Sequence, residues 1–452
     1  MRMVCTVISA CLAASAFGVV LWPDERVPSR RPSKQQLAWQ DLEYGMFCHF
    51  SINTFNNMEW SDGTLDPKSF NPTDFDARQW ARAAKEAGMK YLIVTAKHHD
   101  GFCTWPTAYT DYSVKASPWR DGKGDVVGEV ARACRAEGIK FGVYLSPWDR
   151  HEPSYKDAAA YDKYYMNQLR ELLTKYGPVA VVWMDGAGTE GHVYDWAGYY
   201  RLIKSLQPDA LTAIAGPSDI RWVGNENGIA PETLHNVVEV GGAPYWWPAE
   251  CDVPIRGNWF WHTDDQNSLK TADQLLDIYH KSVGRGANLL LNVAPDRRGR
   301  LPEADLARIK EVWQILKRDY ARNLARGKAS AASSAESGRH AAKHATDGRP
   351  ATWWQAKDGE LVGWLEVDLG KEAEFNRAVI QEAIQVGQRI DSYRLERWDG
   401  DRWVEVCRGT TVGHKRIDRF QTVSARRVRL ELKGTEPPTI REFGLYLASS
   451  QR

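Results

Sequence analysis

Asp185 is the residue of this chain best placed to do chemistry. It closes the run Val179-Ala180-Val181-Val182-Trp183-Met184, and glycines follow at 186 and 188. A continuous apolar run bounded by Gly177-Pro178 and the later glycines reads as a strand buried on both faces. Its carboxylate then lies at the strand's C-terminal end, where the backbone opens into a loop. Side chains alternate along a strand, so Trp183 and Asp185 share a face and an indole plate lies beside the acid. In a parallel α/β barrel, reacting groups sit at that end of the strands. An aspartate that only caps the next helix is the plain alternative.

Further polar groups gather at comparable positions. His49 ends the run 44–50, Lys97-His98-His99-Asp100 ends the run 91–96, and Tyr144 and Trp148 end the third. Three histidines on adjacent strand ends would suit zinc. Two are sequential, however, so their side chains diverge unless a loop turns them, and no carboxylate ligand pattern accompanies them. Imidazoles also hydrogen-bond sugar hydroxyls unaided, so a metal is not expected; histidines satisfied within a loop are the third reading. Cleaving a glycosidic bond takes two carboxyls. Glu226, in the glycine-bounded stretch Arg221-Trp222-Val223-Gly224-Asn225-Glu226-Asn227-Gly228, is the best partner for Asp185. An aromatic surround raises a carboxyl pKa, as a proton donor requires. Glu232, Glu239 and Glu250 compete for the role, and an ordinary exposed glutamate is the alternative for each.

The chain has 452 residues, enough for two domains. A formal net charge of +1 argues against binding nucleic acid by overall charge. The 20 Trp and 18 Tyr exceed what core packing requires and suit stacking on sugar faces. Residues 1–20 have the plan of an export signal, with a basic start, an apolar run and small residues at Ala14-Ser15-Ala16. That implies a periplasmic or extracellular enzyme with no transmembrane span in the mature chain; a lipid anchor at Cys11 is the minor variant. The five later cysteines are widely spaced and odd in number, which offers no disulfide framework.

Residues 21–36, rich in Pro and Arg, read as an unstructured lead-in. From 37 to 325, strand-like runs (44–50, 91–96, 141–145, 179–185, 211–215, 258–262, 289–293) alternate with helical ones. This spacing predicts a (β/α)8-like barrel, irregular between 216 and 257, where no clean helix is found. An open doubly wound sheet is the rival, but no glycine-rich nucleotide loop follows the first strand. Residues 326–338 read as a connector. Short alternating runs from 339 to 452 predict a small all-β sandwich.

The barrel portion resembles the α-L-fucosidases of glycoside hydrolase family 29. The resemblance rests on Tyr44-Gly45-Met46-Phe47-Cys48-His49, Glu59-Trp60-Ser61, Lys97-His98-His99-Asp100-Gly101-Phe102, Tyr144-Leu145-Ser146-Pro147-Trp148, Trp183-Met184-Asp185-Gly186 and Asn288-Leu289-Leu290-Leu291-Asn292. It implies a retaining hydrolase without metal or organic cofactor, acting on a fucosylated oligosaccharide or glycoconjugate, with Asp185 as nucleophile. His49, Glu59, Trp60, His98, His99, Tyr144 and Trp183 would hold the fucose. The stretch ending in Glu226 is similar to the branch that prefers α-1,3 and α-1,4 linkages, which makes Glu226 the acid/base. The stretch Trp259-Phe260-Trp261-His262 would close the pocket, with Trp261 as the contact. Asp347-Gly348, Thr352-Trp353-Trp354 and Trp364-Leu365-Glu366-Val367-Asp368-Leu369-Gly370 resemble the discoidin-like (factor 5/8 C-terminal) sandwich, whose members often bind carbohydrate. A non-catalytic glycan-binding protein and a metal-dependent hydrolase are the rival functions.

Overall fold

The computed structural model describes residues 27–449, so the expected export signal and Cys11 lie outside the described residues. Eight parallel strands form the barrel wall: β1 (Tyr44–Cys48), β2 (Tyr91–Lys97), β3 (Lys140–Leu145), β4 (Val181–Met184), β5 (Leu211–Ile214), β6 (Arg221–Trp222), β9 (Ala249–Pro254) and β10 (Asn288–Asn292). Between β6 and β9 comes an antiparallel hairpin, β7 (Val237–Val240) and β8 (Ala243–Trp246). The wall runs β5-β4-β3-β2-β1-β10-β9-β6. A single parallel bridge, Ala213 to Ile220, closes it.

Helices cover most of the wall, and their ends carry expected signals. Lys34–Gln40 (α1) starts with a capping box of Ser33 and Gln36. It begins inside the stretch read as unstructured, because that box and the Ser29–Tyr245 bridge tie the lead-in down. Ile52–Asn56 (α2) and Ala77–Glu86 (α3) follow β1, Val126–Glu137 (α4) follows β2, Ala158–Lys175 (α5) follows β3 and Trp196–Leu206 (α6) follows β4. Ala272–Ser282 (α7) follows β9 and Glu303–Asp319 (α8) follows β10. No helix follows β5 or β6, the sector where the sequence offered none. Two strand expectations change there. Residues 258–262 form a loop and not a strand, and the strand is β9, whose Glu250 and Asp252 break the apolar run that would have revealed it.

Inside the barrel, Phe47, Tyr91, Ile93, Tyr144, Val181, Trp183, Leu211, Ile220 and Leu290 fill the bore, and a larger apolar layer lies between strands and helices. Among the described residues no helix is long and apolar enough to cross a membrane.

The C-terminal part is an antiparallel sandwich with its own core around Trp354, Leu365, Phe375, Leu430 and Phe443. Its sheet joins Ala329–Ala332, Val362–Gln381, Arg416–Gly434, Ile390–Trp398 and Trp403–Gly409, with Glu442–Tyr446 on Val362–Gln381. The first of these lies in the stretch read as a connector. Val362–Gln381 is one long strand whose register shifts after Asp368 and after Phe375. The sandwich meets the barrel's lower rim, where Asp41 accepts from His414 Nε2 (2.9 Å) and Arg441 Nη1 (3.0 Å).

Gly45 on β1 faces Tyr91 on β2, and a Cβ at Gly45 would lie 2.4 Å from the Tyr91 ring. The ring cannot retreat freely, since its hydroxyl is bonded to Glu250 (2.7 Å). Gly45→Ala should therefore cost about 1–3 kcal/mol by overpacking, measured as a lowered urea midpoint; an unchanged midpoint would show that the bore has slack.

Candidate active site

Asp185 follows β4 directly and opens into the mouth of the barrel, with its side chain 25% exposed. Tyr144 donates its hydroxyl to Oδ2 (3.0 Å) and the Ala187 amide donates to Oδ1 (2.8 Å). The carboxylate is thus held by two donors yet remains reachable from solvent. Tyr144 is fully buried and stacks on Trp183 at 5.2 Å between ring centroids. Beneath them, Trp183 Nε1 donates to Glu250 Oε1 (2.9 Å), while Tyr91 takes the other oxygen. The indole N–H is therefore committed downward, and Trp183 presents its ring to the mouth. Burial pushes Glu250 up to about 7.

The three histidines form one wall, with centroids 5.7 Å apart for His49–His98 and 4.1 Å for His98–His99. The sequential pair does not diverge, because β2 ends with a register shift at Lys97 and the chain turns. Lys97 pins that turn from inside: its buried ammonium donates to Asp149 (2.8 Å) and Tyr161 (3.2 Å). Burial lowers the pKa of all three imidazoles, His49 to about 3, so they are neutral at physiological pH.

Hydrogen bonds then fix two tautomers. Asn292 gives its amide to Trp259 O (2.7 Å), so its oxygen accepts from His49 Nδ1 (2.9 Å) and leaves His49 Nε2 an acceptor. Ser146 donates to Trp148 O (2.8 Å) and so accepts from His99 Nδ1 (2.8 Å). His99 Nε2, 3.6 Å from Asp185 Oδ2, is likewise an acceptor. His98 Nδ1 is buried and finds no hydrogen-bond partner among the described residues.

The 258–262 loop adjoins this wall, with Phe260 packed edge-on against His49 and His98, and Glu59 holds it. Its carboxylate accepts from the amides of Trp259 (2.8 Å) and Phe260 (3.1 Å), and His262 Nε2 lies 3.0 Å away. Glu59, expected to hold the sugar, thus also holds the loop. Both indoles of the expected pocket-closing stretch have partners. Trp259 lies 5.1 Å from His49 and donates to Glu226 Oε2 (3.2 Å), whereas Trp261 has the Arg297 guanidinium 6.0 Å from its ring. Trp60, 53% exposed, stands edge-on to His99 and Trp148 at the rim.

Glu226 keeps contact with solvent, but partial burial raises its pKa and the nearby Asp185 charge raises it further against the Trp259 bond. The competing glutamates are occupied elsewhere: Glu232 pairs with Arg285 (2.8 Å), Glu239 with Arg30 (3.1 Å), and Glu250 lies under Trp183. Sequence reading gave no role to Asn292 or Ser146, offered Glu250 only as a competing acid, and placed Trp259 only within the stretch that closes the pocket. Polar residues closing the apolar run Asn288-Leu289-Leu290-Leu291-Asn292 were the one signal available for Asn292. Among the described residues no group of three or more His, Cys, Asp or Glu is arranged to hold a metal ion.

A cup of aromatic rings and neutral imidazoles above a single carboxylate is the working end of a glycoside hydrolase. More narrowly, the chain belongs to the α-L-fucosidase family, whose model matches residues 56–319; a factor 5/8 type C domain matches 328–443. Alpha-L-fucosidase 1 of Arabidopsis thaliana is 42% identical over 445 residues, spanning 92% of this chain and 87% of that protein. A Ruminococcus gnavus fucosidase of glycoside hydrolase family 29, solved in complex with fucose, superposes with a TM-score of 0.86 at 34% identity, covering 95% of this chain and 98% of that one. A family 29 member from a rumen bacterium gives 0.81 at 37% identity, with 94% and 78% covered.

A carboxyl raised by burial favours the folded state in its protonated form. Glu250's contribution is complete below roughly pH 4 and is lost as pH rises through about 7. Glu250→Gln, which cannot ionise, should remove that slope. The stability gap between parent and variant, from urea denaturation, should shift against the parent between pH 5 and 8; an unchanged gap would mean that Glu250 does not titrate there.

Proposed function

We propose that the protein is a retaining exo-α-L-fucosidase that removes terminal fucose linked α-1,3 or α-1,4 on oligosaccharides or glycoconjugates. The observation that carries this reading is Asp185, held by Tyr144 and Ala187 yet open to the cup, with Glu226 at the rim on a raised pKa. Asp185 attacks the anomeric carbon as the glycosidic C–O bond breaks, and the leaving oxygen takes the proton of Glu226. Water then gives a proton to Glu226, its oxygen displaces Asp185 from the sugar, and fucose leaves with its configuration retained. The acceptor nitrogens of His49 and His99 accept hydrogen bonds from sugar hydroxyls, and His98 bonds to the sugar beside them. Trp60, Trp183 and Trp261, with Trp259 beside them, offer flat apolar faces, Tyr144 orients the nucleophile, and Glu59 holds the 258–262 loop as well as the sugar. The fucose bound by the Ruminococcus gnavus relative supports fucose as the sugar. The linkage assignment is supported by the Trp222-to-Glu226 stretch and by the attached sandwich. Export to the periplasm or medium belongs to the same proposal and is read from cell fractionation.

Three measurements test it. Products from fucosides of defined α-1,2, α-1,3, α-1,4 and α-1,6 linkage should show α-1,3 and α-1,4 cleavage with the α-anomer released first; β-fucose as first product would refute retention. Asp185→Asn should lower kcat on the order of 10³-fold or more on every substrate, with its urea midpoint near that of the parent. Glu226→Gln should lose roughly 10²-fold or more on an unactivated disaccharide and far less on an aryl fucoside, whose leaving group needs no proton. Equal losses on both would remove Glu226 from the acid role.

A further inference from the structure

We infer that the C-terminal sandwich is a working part of the hydrolytic site: Gln388, Thr410, Thr411 and Arg416 position the barrel segment that carries Glu226. This rests on Glu226 being the acid/base.

Every buried backbone amide and carbonyl needs a partner. Helices would supply them, but the barrel has none between β5 and β9, and residues 223–236 run without regular structure. Sandwich side chains take over. The Glu232 carbonyl accepts from Arg416 Nη1 (3.0 Å) and Thr410 Oγ1 (3.3 Å). The Leu234 amide donates to Thr411 Oγ1 (3.0 Å), and its carbonyl accepts from Gln388 Nε2 (2.8 Å). The Asn236 amide donates to Gln388 Oε1 (2.8 Å). Gln388 thus meets this segment with a donor and an acceptor, as a neighbouring strand would.

The sandwich end of the clamp is itself braced. Buried Glu382 accepts the amides of Arg389 and Ile390 on one oxygen and that of Gly413 on the other, tying the two clamping loops together. The barrel end has little slack. Ala230 is bonded on both sides, to Lys281 O (2.9 Å) and Arg285 Nη1 (2.6 Å). At Gly228 (φ +72°) a Cβ would come within 2.8 Å of Ile278 and Val253. Arg221, at the base of the Glu226 loop, donates to the carbonyls of His235 and Trp247. The loop is therefore bracketed by β6 on one side and by the sandwich-held segment on the other. A general acid works only within hydrogen-bond reach of the leaving oxygen, so loosening the bracket should weaken protonation before it weakens anything else.

The test uses the full chain carrying Gln388→Ala with Thr411→Val, beside Glu226→Gln. For the double variant, kcat/KM on an unactivated fucosyl disaccharide should fall about tenfold, while an aryl fucoside with a good leaving group stays within about twofold. Amide exchange at Leu234 and Asn236 should quicken. Equal losses on both substrates, or none on either, while Glu226→Gln keeps its leaving-group dependence, would overturn the inference and leave the Glu226 assignment standing. Loss of that dependence in Glu226→Gln itself would overturn both. Should the double variant fail to fold, Thr411→Val alone must show the same ordering of losses on a smaller scale.

Discussion

The carboxyl of Glu250 is the joint on which the site depends. It sits in the bore of the barrel on β9 and accepts one hydrogen bond from Tyr91 on β2 and one from Trp183 on β4. Three strands that are not neighbours in the wall are thereby tied across the interior. An isolated carboxylate there would be costly, but two donors and a raised pKa make the burial tolerable. Because Trp183 is fixed from below, Tyr144 has a firm plate to stack on, and Tyr144 in turn fixes Asp185. The acid at the mouth is as well placed as the acid beneath it allows.

Much of this was legible in the chain, for physical reasons particular to each element. Strands β1 to β4 are buried on both faces and so read as near-continuous apolar runs. Alternation then placed Asp185 beside Trp183 without any knowledge of tertiary contacts. β9 escaped because its inward residues are Glu250 and Asp252, polar groups whose partners lie far away in sequence. The 258–262 run looked like a strand because it is aromatic, yet its amides bond to a side chain, Glu59, and not to a neighbouring strand. Whether Trp259 or Trp261 faces the cup depends on loop geometry, for which a sequence has no periodicity. Asn292 needed the contact with His49, 243 positions away, before it acquired a role.

The sector without helices shows how two domains share one fold. Elsewhere α-helices close the barrel's outer layer; here the chain between β6 and β9 is satisfied by a hairpin and by side chains of the sandwich. The border between the domains therefore cannot be drawn by texture alone. A strand at Ala329–Ala332 belongs to the sandwich sheet although its composition is that of a tether, and His414 and Arg441 reach down to Asp41 ahead of the first barrel strand.

The neutral imidazoles carry one more consequence. With their Nδ1 hydrogens turned to Asn292 and Ser146, His49 and His99 present lone pairs above a carboxylate, so the imidazole wall is rich in acceptors. A fucose mimic whose ring oxygen is replaced by a protonated nitrogen would meet complementary charge at Asp185 with no opposing positive group in the imidazole wall. Such an amine should be held more tightly than the sugar it imitates, and a carboxylate-bearing mimic should be turned away.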